Sequence, residues 1–254
     1  MPVKVGAAQA RRRRGSGREG GEREDAVEAG GAAGEPEAVG AGGRSRIQER
    51  NRALILEAAL AVFSAEGFKG ATLDRIAKAA RLSKPNLLYY FPSKEAIHLS
   101  LLEGLLDAWL APLAALDPAG EPLEEVRAYV RAKLALARDF PRESRLFAGE
   151  VLRGAPHLAP VLGGRLAALV EDKAEVLQAW MDAGSLAPVP PKHLLFAVWA
   201  LTQHYADFEA QVRAVLGPGH DPFAEAGPVL DMIFARLLAP PPAPPPAPLP
   251  GGPG

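Results

Sequence analysis

A stretch of 24 residues, 72–95, constrains the fold of this chain more than any other part of it. Its sequence is TLDRIAKAARLSKPNLLYYFPSKE. Apolar residues recur at three- and four-residue spacing after Thr72, a favourable N-cap, which predicts a short helix. A second short helix is predicted after Ser83, because Pro85 then falls in the first helical turn, where its missing N–H costs nothing. Two short helices joined by a tight turn form the geometry that places a helix in the major groove of DNA.

Helical patterns also dominate the rest of the chain, and no strand-like alternation stands out. Before the central stretch, residues 47–65 have helical periodicity, and Gly67 is expected to end that helix. Prolines and glycines separate the later patterns, and Gly163 with Gly164 is expected to break one of them. The predicted class is all-α with about nine helices: a three-helix helix-turn-helix domain followed by a helical ligand-binding and dimerisation domain. The later helices are predicted at residues 94–113, 121–138, 142–153, 158–183, 192–215 and 222–239.

Both ends of the chain differ in composition from its centre. Residues 1–43 contain 11 of the 26 glycines and equal numbers of acidic and basic residues, so they are predicted to be a disordered extension. Residues 240–254 contain nine prolines and are predicted to be a disordered, proline-rich tail. The predicted domains are therefore the helix-turn-helix domain at 44–95 and the ligand-binding and dimerisation domain at 96–239.

Charge is distributed unevenly along the chain. Residues 44–95 carry ten Lys/Arg and five Asp/Glu, whereas residues 96–254 carry a net charge of −6. This asymmetry predicts that only the first of these segments contacts phosphate. The absence of cysteine excludes disulfides and thiolate metal sites, and no run of 18 apolar residues indicates a membrane span. The five histidines show no HExxH spacing or other close ligand pair, and no phosphate-binding or GxSxG motif occurs. The sequence thus predicts no catalytic residue, no metal site, no cofactor and no membrane partner.

The central stretch and the helix before it resemble the TetR family of bacterial transcriptional regulators. The resemblance is carried by the turn at Gly67 and Phe68, the Thr72 cap and the run LLYYFPSKE that opens a long helix. Four later segments, WLAPL, RLFAGE, GAPHL and WALTQHYADF, are similar to pyrimidine-utilisation regulators of that family. The resemblance implies a cytoplasmic homodimer that binds double-stranded operator DNA and responds to uracil or thymine. Arg81 stands where many members have Gly, so it must adopt the turn conformation at a steric cost or the turn must differ.

Side chains around the second short helix are predicted to contact DNA. An Asn amide can pair bidentately with the major-groove edge of adenine, and a Leu can contact a thymine methyl group. Hydroxyl and ammonium groups suit phosphates, which fix register without reading sequence. The alternative for the tyrosine pair is core packing, with Tyr90 expected to be the half-buried member. The predicted residues are Lys84, Asn86 and Leu88 for bases, and Thr72, Ser83, Tyr89, Tyr90 and Lys94 for phosphates. Leu88 replaces a commonly aromatic residue of the family.

Polar and aromatic residues inside otherwise apolar helices predict the effector site. A pyrimidine-dione presents acceptor, donor and acceptor along one edge, and an amide side chain can match two adjacent positions of that edge. Indole rings supply flat apolar walls and N–H donors. The predicted residues are Trp109, Trp199, Gln203 and Tyr205, with Arg145 or Glu150 as a further polar partner. The alternative is that the tryptophans fill core while Gln203 faces solvent or the dimer interface.

The last two predicted helices carry apolar stripes and are predicted to form a four-helix bundle with their copies in a dimer. A ligand against Trp109 would shift the helix that begins at Lys94 and move the two recognition helices apart, so ligand and DNA would oppose each other. Two alternatives stay open: a TetR-type repressor with a different, more apolar ligand, and a helical enzyme or adaptor with a vestigial first domain. The stripes comprise Leu194, Leu195, Val198, Leu201 and Ala206 on the first helix, and Val229, Leu230, Ile233, Phe234 and Leu237 on the second.

Overall fold

The computed structural model describes residues 41–240, with side chains from Arg46 onwards. Within that range every regular element is a helix, which confirms the predicted all-α class. The predicted N-terminal extension lies outside the described residues except for 41–43, which form the first turn of a helix. Of the predicted proline-rich tail, only Pro240 lies inside the described range.

Three helices form the first domain, as predicted. They are α1 (Ala41–Gly70), α2 (Leu73–Ala79) and α3 (Lys84–Tyr90). α1 kinks at Gly67, whose φ of 68° and ψ of 170° interrupt the helix at the predicted residue. Thr72 and Ser83 cap α2 and α3, because each hydroxyl accepts a hydrogen bond from a backbone N–H of the first turn. Arg81, in the turn between them, has a φ of 56° and therefore adopts the left-handed conformation that costs a side chain-bearing residue free energy.

The second domain contains more helices than predicted. They are α4 (Lys94–Ala114), α5 (Pro122–Asp139), α6 (Pro141–Leu152), α7 (Ala159–Val161), α8 (Ala167–Asp182), α9 (Pro191–Asp207), α10 (Glu209–Leu216) and α11 (Pro222–Leu238). A π-helical turn at Leu162–Leu166 joins α7 to α8 and contains the two glycines at which a break was predicted. The prediction of one continuous helix at 192–215 is wrong, because Phe208, with φ −111° and ψ 30°, separates α9 from α10.

α4 connects two apolar cores. The first core is built from α1 to α4 and also takes Leu146 of α6 and Leu158, so the helix-turn-helix domain shares its core with the second domain. The second core is built mainly from α5, α8, α9 and α11 and takes Leu113 from the end of α4. Trp109 belongs to the first core and lies one turn before Leu113. A displacement of α4 therefore affects both cores.

By length and composition alone, α4 could cross a membrane. It packs instead against α1, α5, α6 and α8 and supplies side chains to both apolar cores. Its apolar character is that of a central core helix.

The predicted dimer stripes are only partly exposed. The assignment of several of these residues to a dimer interface is wrong, because they are buried within this chain's own core: Leu194, Leu195, Val198 and Ala206 on α9, and Leu230 and Phe234 on α11. The helical period turns these positions towards the core of the same chain and turns the neighbouring positions towards the surface. The apolar residues that remain exposed are Phe196, Leu201 and Phe208 at α9, and Val229, Met232, Ile233 and Leu237 on α11.

Candidate functional site

The outer surface of α3 is polar and accessible. Lys84, Asn86 and Leu88 are exposed, whereas Leu87 between them is fully buried and fixes the helix on the first core. Lys84 Nζ donates to Asp74 Oδ2 at 2.9 Å in an exposed ion pair. Exposed pairs contribute only about 0–1 kcal/mol, so a DNA phosphate or base can displace the carboxylate. The three residues predicted to read bases are therefore accessible, and their individual roles stay predictions.

The tyrosine pair is held by α1. Gln48 Nε2 donates to the Tyr89 hydroxyl at 3.3 Å, and Asn51 Nδ2 donates to the Tyr90 hydroxyl at 2.8 Å. Tyr89 is 71% exposed and Tyr90 is half-buried against the first core, as predicted for the pair. Because each phenolic oxygen accepts a hydrogen bond, its own O–H stays free to donate to a phosphate oxygen. The hydroxyls of Thr72 and Ser83 also accept a hydrogen bond as helix caps, so each O–H can likewise donate to a phosphate oxygen.

Lys94 has a different position from the one predicted. Its ammonium donates to the carbonyls of Phe68 and Ala71 at 2.8 and 3.0 Å, and it lies 4.4 Å from the centre of the Phe68 ring. The side chain thus satisfies carbonyls at the end of α1 and ties them to the start of α4. This corrects the prediction that the Lys94 ammonium points at phosphate. The backbone N–H of Lys94, at the start of α4, is still a donor that a phosphate can use.

Three of the predicted effector residues meet in one cavity. Trp109 on α4 and Trp199 and Gln203 on α9 line a cavity of about 70 Å³. Trp109 is buried, and its indole Nε1 has no hydrogen-bond acceptor among the described residues. A buried donor left unpaired costs about 1–3 kcal/mol, which is the signal expected where a ligand supplies the acceptor. Trp199 Nε1 instead donates to the hydroxyl of Tyr129 at 2.6 Å.

A buried lysine completes this cavity. Lys133 on α5 is 3% exposed and lines the cavity, and its Nζ lies 5.9 Å from the centre of the Trp109 ring. Burial lowers the pKa of Lys133 to about 7, and the negative charge of Asp207 offsets only part of this decrease. Asp207 is held elsewhere, since its carboxylate accepts a hydrogen bond from the Ser144 hydroxyl at 2.5 Å. Within the described residues Lys133 forms no ion pair, so its amine is available to a ligand.

The other predicted effector residues lie outside this cavity, which corrects the predicted set. Arg145 on α6 donates to the Ala206 carbonyl at 3.2 Å and pairs with Glu209 at 2.8 Å. Tyr205 packs against the second core beside Phe223. Glu150 is buried in a cluster with His98 and His157.

Sequence reasoning missed Lys133, Phe147 and Tyr129 at this site. Lys133 lies at the same helical spacing as the buried apolar residues of α5. That position could have revealed it, because a lysine on an apolar helix face needs a polar partner. Phe147 stacks on Trp109 with ring centres 6.3 Å apart, and only tertiary contact reveals that.

Comparison with protein families matches two successive segments of the chain separately. Residues 55–101 match the model of bacterial regulatory proteins of the tetR family. Residues 102–238 match the model of the C-terminal region of YcdC-like protein. The boundary between the two matches falls within α4.

Individual proteins are similar over much of the chain. The HTH-type transcriptional regulator RutR of Escherichia coli K12 is 50% identical over 176 residues, which cover 69% of this chain and 83% of RutR. TcmR of Streptomyces glaucescens is 33% identical over 121 residues, covering 47% of this chain and 50% of TcmR. A solved transcriptional regulator from Streptomyces coelicolor superimposes with a TM-score of 0.61 and 26% identity, covering 75% of this chain and 99% of its own. These relatives are named as transcriptional regulators rather than enzymes.

Proposed function

The chain belongs to the TetR family of bacterial transcriptional regulators, which are ligand-responsive DNA-binding proteins and not enzymes, and on that premise we propose that uracil or thymine is its effector. In this proposal the chain is a cytoplasmic homodimer that binds operator DNA through α2 and α3 and releases it when the pyrimidine binds. The controlled genes would belong to pyrimidine and nitrogen metabolism. The observation that carries the proposal is the small cavity with Trp109, Lys133 and Gln203.

The chemistry of this cavity suits a single-ring heterocycle with alternating acceptors and donors. The Gln203 amide offers one donor and one acceptor, which match a ring carbonyl and the adjacent imide N–H. The unpaired indole N–H of Trp109 and the amine of Lys133 are donors for the second carbonyl oxygen, which has two lone pairs. Indole and phenyl rings form the flat apolar walls.

The size of the cavity supports a small ligand. Its volume of about 70 Å³ is well below the roughly 300–1,000 Å³ typical of pockets for drug-sized ligands. A flat single ring requires modest opening, whereas a long acyl chain would require the core to be rebuilt. Modest opening at Trp109 is also what an effector needs in order to move α4.

α4 provides the connection between effector and DNA. Three residues separate the end of α3 from Lys94, which begins α4, and Trp109 lies fifteen residues further on, about 22 Å along the helix axis. A ligand that displaces Trp109 therefore tilts a helix whose first turn holds the end of α1 through Lys94. In a dimer this tilt changes the distance between the two copies of α3, which must match two half-sites about 34 Å apart.

The proposed dimer uses the exposed apolar residues at α9 and α11. Val229, Ile233 and Leu237 lie on one face of α11, and each is more than a third exposed. Phe196 and Leu201 extend the apolar surface onto α9. An isologous interface in which these helices pack on their copies would cover them.

Thermal unfolding with and without uracil or thymine tests the effector, followed by operator binding at the same ligand concentration. We expect both bases to raise the melting temperature and to weaken DNA binding. Gln203→Ala should abolish both responses, and Gln211→Ala, which makes the same change at an exposed position on α10, serves as the matched control that keeps them. Unchanged uracil affinity in Gln203→Ala would remove Gln203 from the site, and no stabilisation by millimolar base would remove pyrimidines as effectors.

A second candidate is a larger, more apolar effector. A cavity of about 520 Å³ lies between α1 and α4 to α6, and its apolar lining includes Leu60, Leu101, Leu105, Trp109 and Phe140. Calorimetry with a panel of nucleobases and hydrophobic compounds separates the two candidates. Heat from apolar compounds alone would favour this second cavity.

A further inference from the structure

We propose that His98, Glu150 and His157 bind one divalent transition-metal ion of the Zn²⁺ type at the junction of the two domains. One nitrogen of each imidazole and one carboxylate oxygen lie within 4.8 Å of one another. Two imidazoles and a carboxylate are a donor set that Zn²⁺ uses in proteins with three protein ligands and one open position. The site is separate from the pyrimidine cavity and does not depend on that proposal.

The two distances from the imidazoles to the carboxylate are close to those that an ion requires, and the three ligand atoms must draw together from separations of up to 4.8 Å. Tetrahedral Zn²⁺ holds its nitrogen and oxygen ligands about 2.1 Å away, which places the ligand atoms about 3.4 Å from one another. His98 Nε2 lies 3.4 Å from Glu150 Oε2, and His157 Nδ1 lies 3.0 Å from Glu150 Oε1. An ion would take the place of the hydrogen bonds that now link the two rings to the carboxylate. Each imidazole would bind it through the nitrogen that faces Glu150 and carry its proton on the other ring nitrogen, with small side-chain rotations.

Burial and protonation suit a metal site. His98 is 0% exposed and Glu150 is 1% exposed. Burial lowers the pKa of His98, which favours the neutral imidazole that binds metals. Burial alone would raise the pKa of Glu150, but hydrogen bonds from His157 and His98 outweigh it, so that carboxyl stays ionised. The nearest competing cation is Arg153, whose guanidinium lies 3.6 Å from Glu150 and is half exposed, so it can move aside.

The backbone holds the third ligand in place at a conformational cost. Gly154 and Ala155 have φ values of 86° and 52°, and Ala155 thus adopts the left-handed region that residues other than glycine avoid. This turn directs the backbone N–H of His157 onto Glu150 Oε1 at 2.8 Å and brings its ring to the same carboxylate. Strained turns of this kind concentrate at ligand sites.

An ion has a route in and space for a fourth ligand. A cavity of about 530 Å³ borders the cluster and is lined by Glu150, His157 and Phe68. His157 keeps a quarter of its side chain exposed on this side. A water molecule can therefore complete the coordination.

Phe68 connects the cluster to the helix-turn-helix domain. Its ring centre lies 4.7 Å from that of His98 and 4.9 Å from that of His157, while the Lys94 ammonium lies 4.4 Å from the ring centre. An ion that fixes the two imidazoles would fix Phe68 and thereby the kinked end of α1. Bound Zn²⁺ should accordingly slow backbone hydrogen exchange in the α1 kink, the first turns of α4 and the end of α6.

The test measures Zn²⁺ binding to the tag-free full chain after chelator treatment, using elemental analysis and competition with a chromophoric chelator. We expect one ion per chain and an affinity at least tenfold higher than that of His157→Gln. The matched control is His220→Gln, because His220 also pairs with a single carboxylate, that of Glu225 at 2.8 Å, but lies on the surface. His220→Gln should bind as the wild type does.

Co²⁺ gives a second readout. The wild type should show the visible bands of a tetrahedral nitrogen and oxygen site, and His157→Gln should lose them. Wild-type protein that retains no ion, or that binds no more tightly than His157→Gln, would overturn the proposal. The wild-type result stands by itself, so a variant that fails to fold does not prevent the decision.

Discussion

Replacing the buried Lys133 by methionine should stabilise the protein, and the gain should depend on pH. Lys133 is 3% exposed, and its pKa falls from the ordinary 10.5 to about 7 because burial disfavours the ammonium. A difference of that size corresponds to about 5 kcal/mol of unfavourable free energy when the lysine is charged in both the folded and the unfolded chain. Relaxation and water entering the cavity reduce this figure, so we expect Lys133→Met to gain about 2–4 kcal/mol at pH 6.

The sign of the pH dependence follows from the two pKa values. The folded pKa lies below the unfolded one, so the unfolded chain binds the proton more tightly. The wild type should therefore lose stability as the pH falls from about 10 to about 7, by up to about 1.4 kcal/mol per pH unit, and lose no more from this group below that. Lys133→Met removes the effect, so its advantage should grow over the same window and then stay constant.

Denaturant unfolding of both chains at the same protein concentration, at pH 6, 7, 8 and 9, measures this advantage. Lys192→Met is the control, because that lysine is half exposed in an ion pair with Glu171 and its loss should change little at any pH. An advantage that does not vary with pH, or a Lys133→Met chain less stable than the wild type at pH 6, would show that burial of the Lys133 ammonium does not destabilise the folded chain.

The remaining predictions concern the helix-turn-helix. Arg81→Gly should raise the free energy of unfolding by about 0.5–1 kcal/mol, because the residue has a φ of 56°, whereas Ala80→Gly in the same turn should lower it, and thermal unfolding distinguishes the two. Asn86→Ala should reduce discrimination between operator and mismatched DNA by about 1–3 kcal/mol, whereas Tyr89→Phe, which removes a hydroxyl predicted to contact phosphate, should weaken binding to all sequences alike; an equal loss of discrimination in both variants would contradict the separate roles.

Much of the first domain could be predicted because its determinants are local. Thr72 and Ser83 cap the helices that follow them, Gly67 ends regular helix, and Arg81 takes the turn conformation, all through contacts within four residues. Local rules also predicted most helix bounds of the second domain to within one or two residues. They failed at Phe208, since nothing in the local pattern distinguishes a helix that bends there from one that continues.

The sequence by itself determined most of the helices, the basic segment predicted to face DNA and three residues of the proposed effector cavity, because periodicity, capping and composition act over short distances. Only the tertiary structure decided which polar groups share a buried space. It separated Arg145 from the cavity of Gln203, turned the ammonium of Lys94 onto the carbonyls of α1, and brought His98 to Glu150 from 52 positions away. Such neighbours depend on how whole helices pack, and packing is a property of many side chains at once rather than of any spacing along the chain.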